Sequence, residues 1–177
     1  SEGSSMALSV ELAGGPFLPG NVQFHKWIFS SDWYTRLFGT DRISLAASST
    51  FGYVDGLTDN PNIPPIEYFY MGGTGVGYVS TTQLRGYEDR SIGPRDPANQ
   101  VIGGRLMVKH GLELRFALTI NPIPIYLLAF AEGGNVFADF TRADLFDLKR
   151  GYGLGARILI NPLGMVGFDY GYGADDV

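Results

Sequence analysis

Few residues in this sequence are equipped for bond-making chemistry. There is no cysteine, which removes thiolate catalysis, disulfides and cysteine metal sites together. The two histidines, His25 and His110, have no partners at metal-ligand spacing, and no Gly-x-Ser-x-Gly elbow occurs. The stretch "GYGLGA", residues 151–156, fits a Gly-x-Gly-x-x-Ala dinucleotide pattern. Its continuation is "RILINP", alternating and closed by Pro162, where such a site needs a helix. "GGTGVG", residues 72–77, lacks the Lys-Ser/Thr pair of a phosphate loop and reads as a hinge. Asp175 and Asp176 read as loop charge. Two carboxylates, Glu113 and Glu132, have the right chemistry for an acid/base pair, but ion pairing explains them with fewer assumptions. The expectation is therefore no catalysis, no metal and no cofactor. The segment that asks for an explanation is "TQLRGYEDRSIGP", residues 82–94, where Arg85, Gly86 and Tyr87 sit inside a long polar stretch. Strand-like runs flank it on both sides.

The elements that would position these groups follow from composition. The 177 residues include 25 Gly, 12 Phe, 10 Tyr and 2 Trp. Hydrophobic residues make up 45% and charged residues only 18%, against about 25% charged in a typical soluble domain. Such a mixture favours β structure. The longest apolar candidate, Ile123 to Ala131, contains Pro124 and falls well short of the roughly 18 to 20 residues of a membrane-spanning helix, which excludes a helical membrane protein. A membrane barrel survives, because its strands need only about 9 to 11 residues. A net charge of −5 without a basic stripe argues against a nucleic-acid partner. The opening "SEGSSM" reads as an expression scar over residues 1–5, set aside from fold reasoning, with residues 6–177 forming one domain.

Seven segments alternate with period two. "ALSVELA" puts Leu8, Val10 and Leu12 on one face. A rougher segment covers about Val22 to Phe38, with poor alternation around Ile28 and Phe29. In "RISLAASSTFGYV", Ile43, Leu45, Ala47, Phe51 and Tyr53 share a face. "RLMVKHGLELRFAL" sets Leu106, Val108, Leu112, Leu114, Phe116 and Leu118 against Arg105, Lys109, Glu113 and Arg115, with His110 on the apolar side. A fifth runs from about Ile125 to Phe137. "GYGLGARILI" aligns Tyr152, Leu154, Ala156, Ile158 and Ile160, and "MVGFDYGYG" sets Val166, Phe168, Tyr170 and Tyr172 against Gly167, Asp169 and Gly171. Periodicity alone does not say which face points inward. A soluble, lipocalin-like ligand carrier would turn Leu112, Leu114 and Phe116 inward; a membrane barrel reverses the order.

Connection lengths favour the membrane. "FGTDR", "INPI" and "INPL" make short links, whereas residues 14–21, about 55–100 and 138–150 make long ones. Short turns at one end and long loops at the other describe an antiparallel up-and-down transmembrane β-barrel. Seven strands leave the first and last running the same way, so antiparallel closure calls for about eight strands.

The order "YFYMGGTG", "LRGYEDRSIGP", "GLELRF", "FAEGGNVF", "GYGLGARILINPLGMVGFDYG" resembles the C-terminal half of the barrel of BamA-type outer-membrane assembly factors, the BamA/TamA-like surface antigen family. Its two specific elements are Arg85-Gly86-Tyr87 followed by Ser91-Ile92-Gly93-Pro94, and the hairpin pattern at Asn161-Pro162-Leu163-Gly164. The resemblance implies a truncated piece of a sixteen-strand barrel in the bacterial outer membrane, whose parent folds other barrel proteins into that membrane; the piece itself is expected to be inactive. It implies that the long extracellular loop folds into the lumen, where Arg85 meets Glu113 and Glu132 on the inner wall, Gly86 permits a tight turn and Tyr87 packs beside the wall. The implied partners are the lipid bilayer or detergent, unfolded outer-membrane proteins and periplasmic or lipoprotein assembly factors; self-association through open strand edges is a separate expectation, from the odd strand count. A translocator that secretes a passenger protein shares the loop motif and stands as the alternative.

Overall fold

A computed structural model describes residues 2–15, 21–58, 62–74, 81–160, 162 and 164–177. Among these residues seven long strands form one sheet in chain order: β1 (Gly3–Ala13), β2 (Phe24–Arg36), β3 (Ile43–Gly56), β6 (Leu106–Thr119), β7 (Ile125–Phe137), β8 (Lys149–Ile160) and β9 (Gly164–Gly173). Every neighbouring pair is antiparallel. The short strands β4 (Tyr70–Met71) and β5 (Thr81–Thr82) pair in parallel within the long connection between β3 and β6. The sheet is thus the expected up-and-down meander, with β1 and β9 as its two margins. The connections alternate as the sequence suggests, so the sheet has a turn end and a loop end.

The alternation resolves into an outer and an inner face, and their chemistry is that of a membrane wall. Leu112, Leu114 and Phe116 are 53%, 44% and 39% exposed. Met6, Leu8, Trp27, Trp33, Leu127, Leu154 and Phe168 are exposed on the same face. Strands of 10 to 14 residues are long enough to cross the hydrocarbon layer. This orientation overturns the lipocalin-like alternative, whose apolar residues would have lined the interior. Among the described residues no helix is long and apolar enough to cross a membrane.

The inner face is covered at the loop end by the β3–β6 connection. Ile63, Phe69, Met71, Leu84 and Ile92 of that connection pack with Phe24, Val54, Met107 and Val136 of the sheet in a buried cluster. Inward glycines make the room: a Cβ on Gly52 would meet the Phe69 ring at 2.6 Å, and one on Gly134 the Met71 sulfur at 2.7 Å. This cluster explains the rough pattern of β2, where Phe24 and Ile28 face the loop rather than lipid.

Three boundaries differ from the sequence reading. The β1–β2 ladder runs through Gly3, Ser4 and Ser5, so the first strand begins within the residues set aside from fold reasoning, ahead of the "ALSVELA" segment. The second strand is shorter than Val22 to Phe38, and the loop assigned to about 55–100 continues to residue 105. The linkers at 16–20 and 75–77, and Asn161 and Leu163 of the last hairpin, lie outside the described residues.

Candidate functional site

Leu84 is fully buried in the apolar cluster beneath the loop, and the next residue leaves it for a charged environment. The Arg85 backbone N–H donates to Glu132 Oε2 at 3.0 Å, while Nε and Nη2 donate to Glu132 Oε1 at 3.0 and 2.6 Å. Glu113 Oε2 accepts from Nη2 at 3.3 Å, and Asp169 Oδ2 from Nη1 at 3.4 Å. The guanidinium also lies over the Phe130 ring, 3.5 Å from its centre, a cation–π contact. Glu132 is therefore the main partner, engaging backbone and side chain at once. Burial opposes the charge on Arg85, but Glu132 above all, then Glu113 and Asp169, more than offset it, so its pKa is raised.

Each acid has a second cation. Lys109 Nζ lies 3.5 Å from Glu132, Arg115 Nε 2.6 Å from Glu113, and Arg157 Nη1 2.7 Å from Asp169. All six side chains from β6, β7, β8 and β9 point inward because they occupy matching parities of the ladder, as the pairs Glu113–Phe130, Phe130–Gly153 and Gly155–Asp169 show. A carboxylate already shared between cations is poorly suited to proton transfer but well suited to holding a chain in register.

Gly86 and Tyr87 continue the contact along β8 and β9. Gly86 has φ +94°, and a Cβ there would meet the Tyr172 carbonyl carbon at 2.5 Å. The wall is equally bare: a Cβ on Gly151 would collide with Arg85 O, and one on Gly173 would meet the Tyr87 ring at 2.9 Å. Glycine on both sides thus lets two backbones touch. Tyr87 Oη donates to Arg150 O at 2.7 Å and accepts from Asp175 N at 3.2 Å, and Arg150 Nη2 pairs with Asp175 Oδ1 at 2.7 Å. Farther along the loop, Ile92 N donates to Met71 O at 3.1 Å, and Ile92 is buried.

The structure therefore brings Arg85, Gly86, Tyr87, Glu113 and Glu132 to one place. It adds Asp169 and Phe130, whose inward parity was readable in "FDYG" and "FAEGG" but whose partner was not. It places His110 elsewhere, on the outer face with its Nδ1 2.9 Å from Ser49 Oγ, and His25 beside Trp27. "GYGLGA" lies within β8, and the turn into β9 comes after it. Among the described residues no three metal-ligating side chains converge.

A sheet that is apolar outside and ionic inside, with a long loop seated across its inner face, is a section of transmembrane β-barrel wall. The family model "Omp85 superfamily domain" matches residues 1–176, and the chain belongs to that superfamily of the outer membrane. A SAM50-like protein of Schizosaccharomyces pombe is 29% identical over 136 residues, covering 75% of this chain and 27% of that protein. The crystal structure of BamA from Haemophilus ducreyi lacking POTRA domains 1–3 superposes with a TM-score of 0.78 at 20% identity, covering 99% of this chain and 36% of that one. The chain thus spans about a quarter of the length of the curated relative, and its fold is that of a part of the BamA barrel.

Proposed function

We propose that this chain is a section of barrel wall, with its inward loop, from a factor that inserts and folds β-barrel proteins into a bacterial outer membrane. In this reading Arg85 tethers the loop to Glu132, with Glu113 and Asp169 as supports, and Gly86 and Tyr87 lay it flat against β8 and β9. The loop then closes the interior and stiffens that side of the wall. A strand margin, where backbone N–H and C=O groups stay available, would template an incoming strand by β-augmentation. The parent's partners would be unfolded outer-membrane proteins together with periplasmic and lipoprotein factors, and this section alone would be inactive.

The observation that carries the reading is the seating of Arg85, through both its backbone and its fork, on an inward acid of a lipid-facing sheet. It is tested in vesicles by following protease protection of an unfolded outer-membrane barrel client. The longer protein bearing this chain should accelerate client insertion, Arg85→Ala should slow it, and the 177-residue chain alone should give the lipid-only rate. Insertion no faster than in empty vesicles, accompanied by export of a soluble passenger, would replace this reading with the secretion pore. Acceleration by the short chain would overturn the assignment of inactivity.

A further inference from the structure

The β7–β8 connection, residues 138–148, does not project beyond the loop end. It folds down over the outer face. Asn135 Nδ2 donates to Asp147 O at 2.7 Å, and the Phe140 ring packs on Tyr53 with centres 4.7 Å apart. Ala143 and Leu148 pack with Tyr53 over Leu106, Val108 and Phe137. Those three residues have outward parity yet are buried, at 4%, 1% and 7% exposure. The connection therefore takes the place that lipid takes lower on the same strands, at Leu112 and Leu114.

The cover leaves its own apolar side chains bare: Phe146 is 97%, Phe140 60% and Leu145 55% exposed. Leu145 and Phe146 line a notch on the outer wall with Gly133, Leu148 and Arg150. Gly133 pairs with Arg150, and Ala131 with Tyr152 two residues down the ladder, where the exposed apolar band begins. Tyr152 and Tyr172 pack there, 5.5 Å apart, as aromatic side chains do at a membrane–water boundary. Arg142, Asp144, Asp147 and Lys149 flank the two apolar residues, an amphipathic arrangement whose charges belong in the headgroup layer.

We propose that residues 138–148 form a membrane-surface strap in which Leu145 and Phe146 enter the boundary between headgroups and acyl chains at the loop end. Its partner is the lipid surface itself, argued from continuity with the lipid-facing band. The strap fixes the height of the wall in the bilayer at the strand pair that carries Glu132, independently of the loop on the inner face. The proposal rests on the membrane reading of the sheet, and its test separates the two.

The chain has no cysteine, so single cysteines report cleanly. In phosphatidylcholine vesicles, labelling by a charged maleimide is compared at Phe146→Cys, Arg142→Cys on the same strap, and Leu114→Cys in the band. Phe146→Cys should react about tenfold or more slowly than Arg142→Cys, because Leu145 still holds that point of the strap at the acyl boundary, where a charged reagent partitions poorly. A Phe146→Trp reporter with Trp27→Phe and Trp33→Phe preserves the aromatic ring and should be quenched by lipids brominated near the headgroup. Fast labelling of Phe146→Cys with Leu114→Cys protected, or quenching of the reporter by iodide but not by brominated lipid, overturns the strap and leaves the wall standing. Fast labelling at Leu114→Cys as well overturns both.

Discussion

Two regions of the inner face hold the same loop by different means. Toward the loop end the contact is dry: Met71, Leu84 and Ile92 are 0%, 0% and 1% exposed, against Val54, Met107 and Val136. Farther down it is ionic, with Arg85 among Glu132, Glu113 and Asp169. The chain passes from one regime to the other between Leu84 and Arg85. Apolar burial is strong and non-directional, so the dry cluster attaches the loop without specifying its register. A forked guanidinium and a backbone N–H on a single carboxylate specify position but gain less net energy, because charges must give up hydration. Adhesion and alignment are thus separated by one peptide bond.

On that division, truncation in the dry region should have the larger effect on loop release. Leu84→Ala should cost about 3 kcal/mol, the usual range for a leucine removed from a packed site. The readout is protease cleavage within residues 57–105 together with the unfolding midpoint in detergent. Gly86→Ala should rank next at about 2 kcal/mol, from a strained φ and a clash with the Tyr172 backbone. Gly164→Ala is the control: its φ is +97° with nothing within 4 Å among the described residues. Only the conformational cost should appear there, so equal losses at the two glycines would remove close approach as the reason for Gly86.

The ionic partners should then separate among themselves. Glu132→Ala, which frees both the backbone and side-chain donors of Arg85, should cost about 2 kcal/mol after allowance for water in the interior. Glu113→Ala should cost about 1 kcal/mol or less, because its contact with Arg85 is longer and its second cation, Arg115, is exposed enough to turn to water when the acid is removed. A double-mutant cycle should give a larger coupling for Arg85–Glu132 than for Arg85–Glu113. Equal couplings would dissolve the distinction between a main partner and a support.

The same contrast explains what the sequence reveals and what it conceals. Lipid outside and charge inside impose alternation on β3, β6, β7, β8 and β9, so their faces are readable from residues such as Leu114 and Glu113. Where the loop replaces lumen water with Phe69 and Ile63, inward positions turn apolar too, and β2 loses its clean pattern at Ile28. Gly3 to Ser5 pair in β1 through backbone groups alone, which no side-chain pattern announces. The Arg85–Glu132 match rested on resemblance, because a contact between residues 47 apart leaves no local trace. Of the glycines that bare the wall beneath Arg85 to Tyr87, namely Gly151, Gly171 and Gly173, the alternation singles out only Gly171, and the seated loop shows why the strip is bare.

The smallest expected effect lies where the loop meets the strand margin. The Asp175 carboxyl is pulled down to about 2, chiefly by hydrogen bonds from the Arg150 side chain and then from its backbone N–H. Because the folded value is depressed below the ordinary 3.8, this pair's contribution is complete above that ordinary value and disappears as pH falls through about 2. Hydrogen exchange at the Arg150 amide, which donates to Asp175 Oδ2 at 2.7 Å, should therefore lose protection between those limits. Asp175→Asn should abolish the pH dependence of that protection while leaving Arg85 in place. If acid instead released the whole loop at once, Tyr87 and Arg85 would belong to one cooperative unit, and the alignment assigned to the ionic cluster would extend to the end of β9.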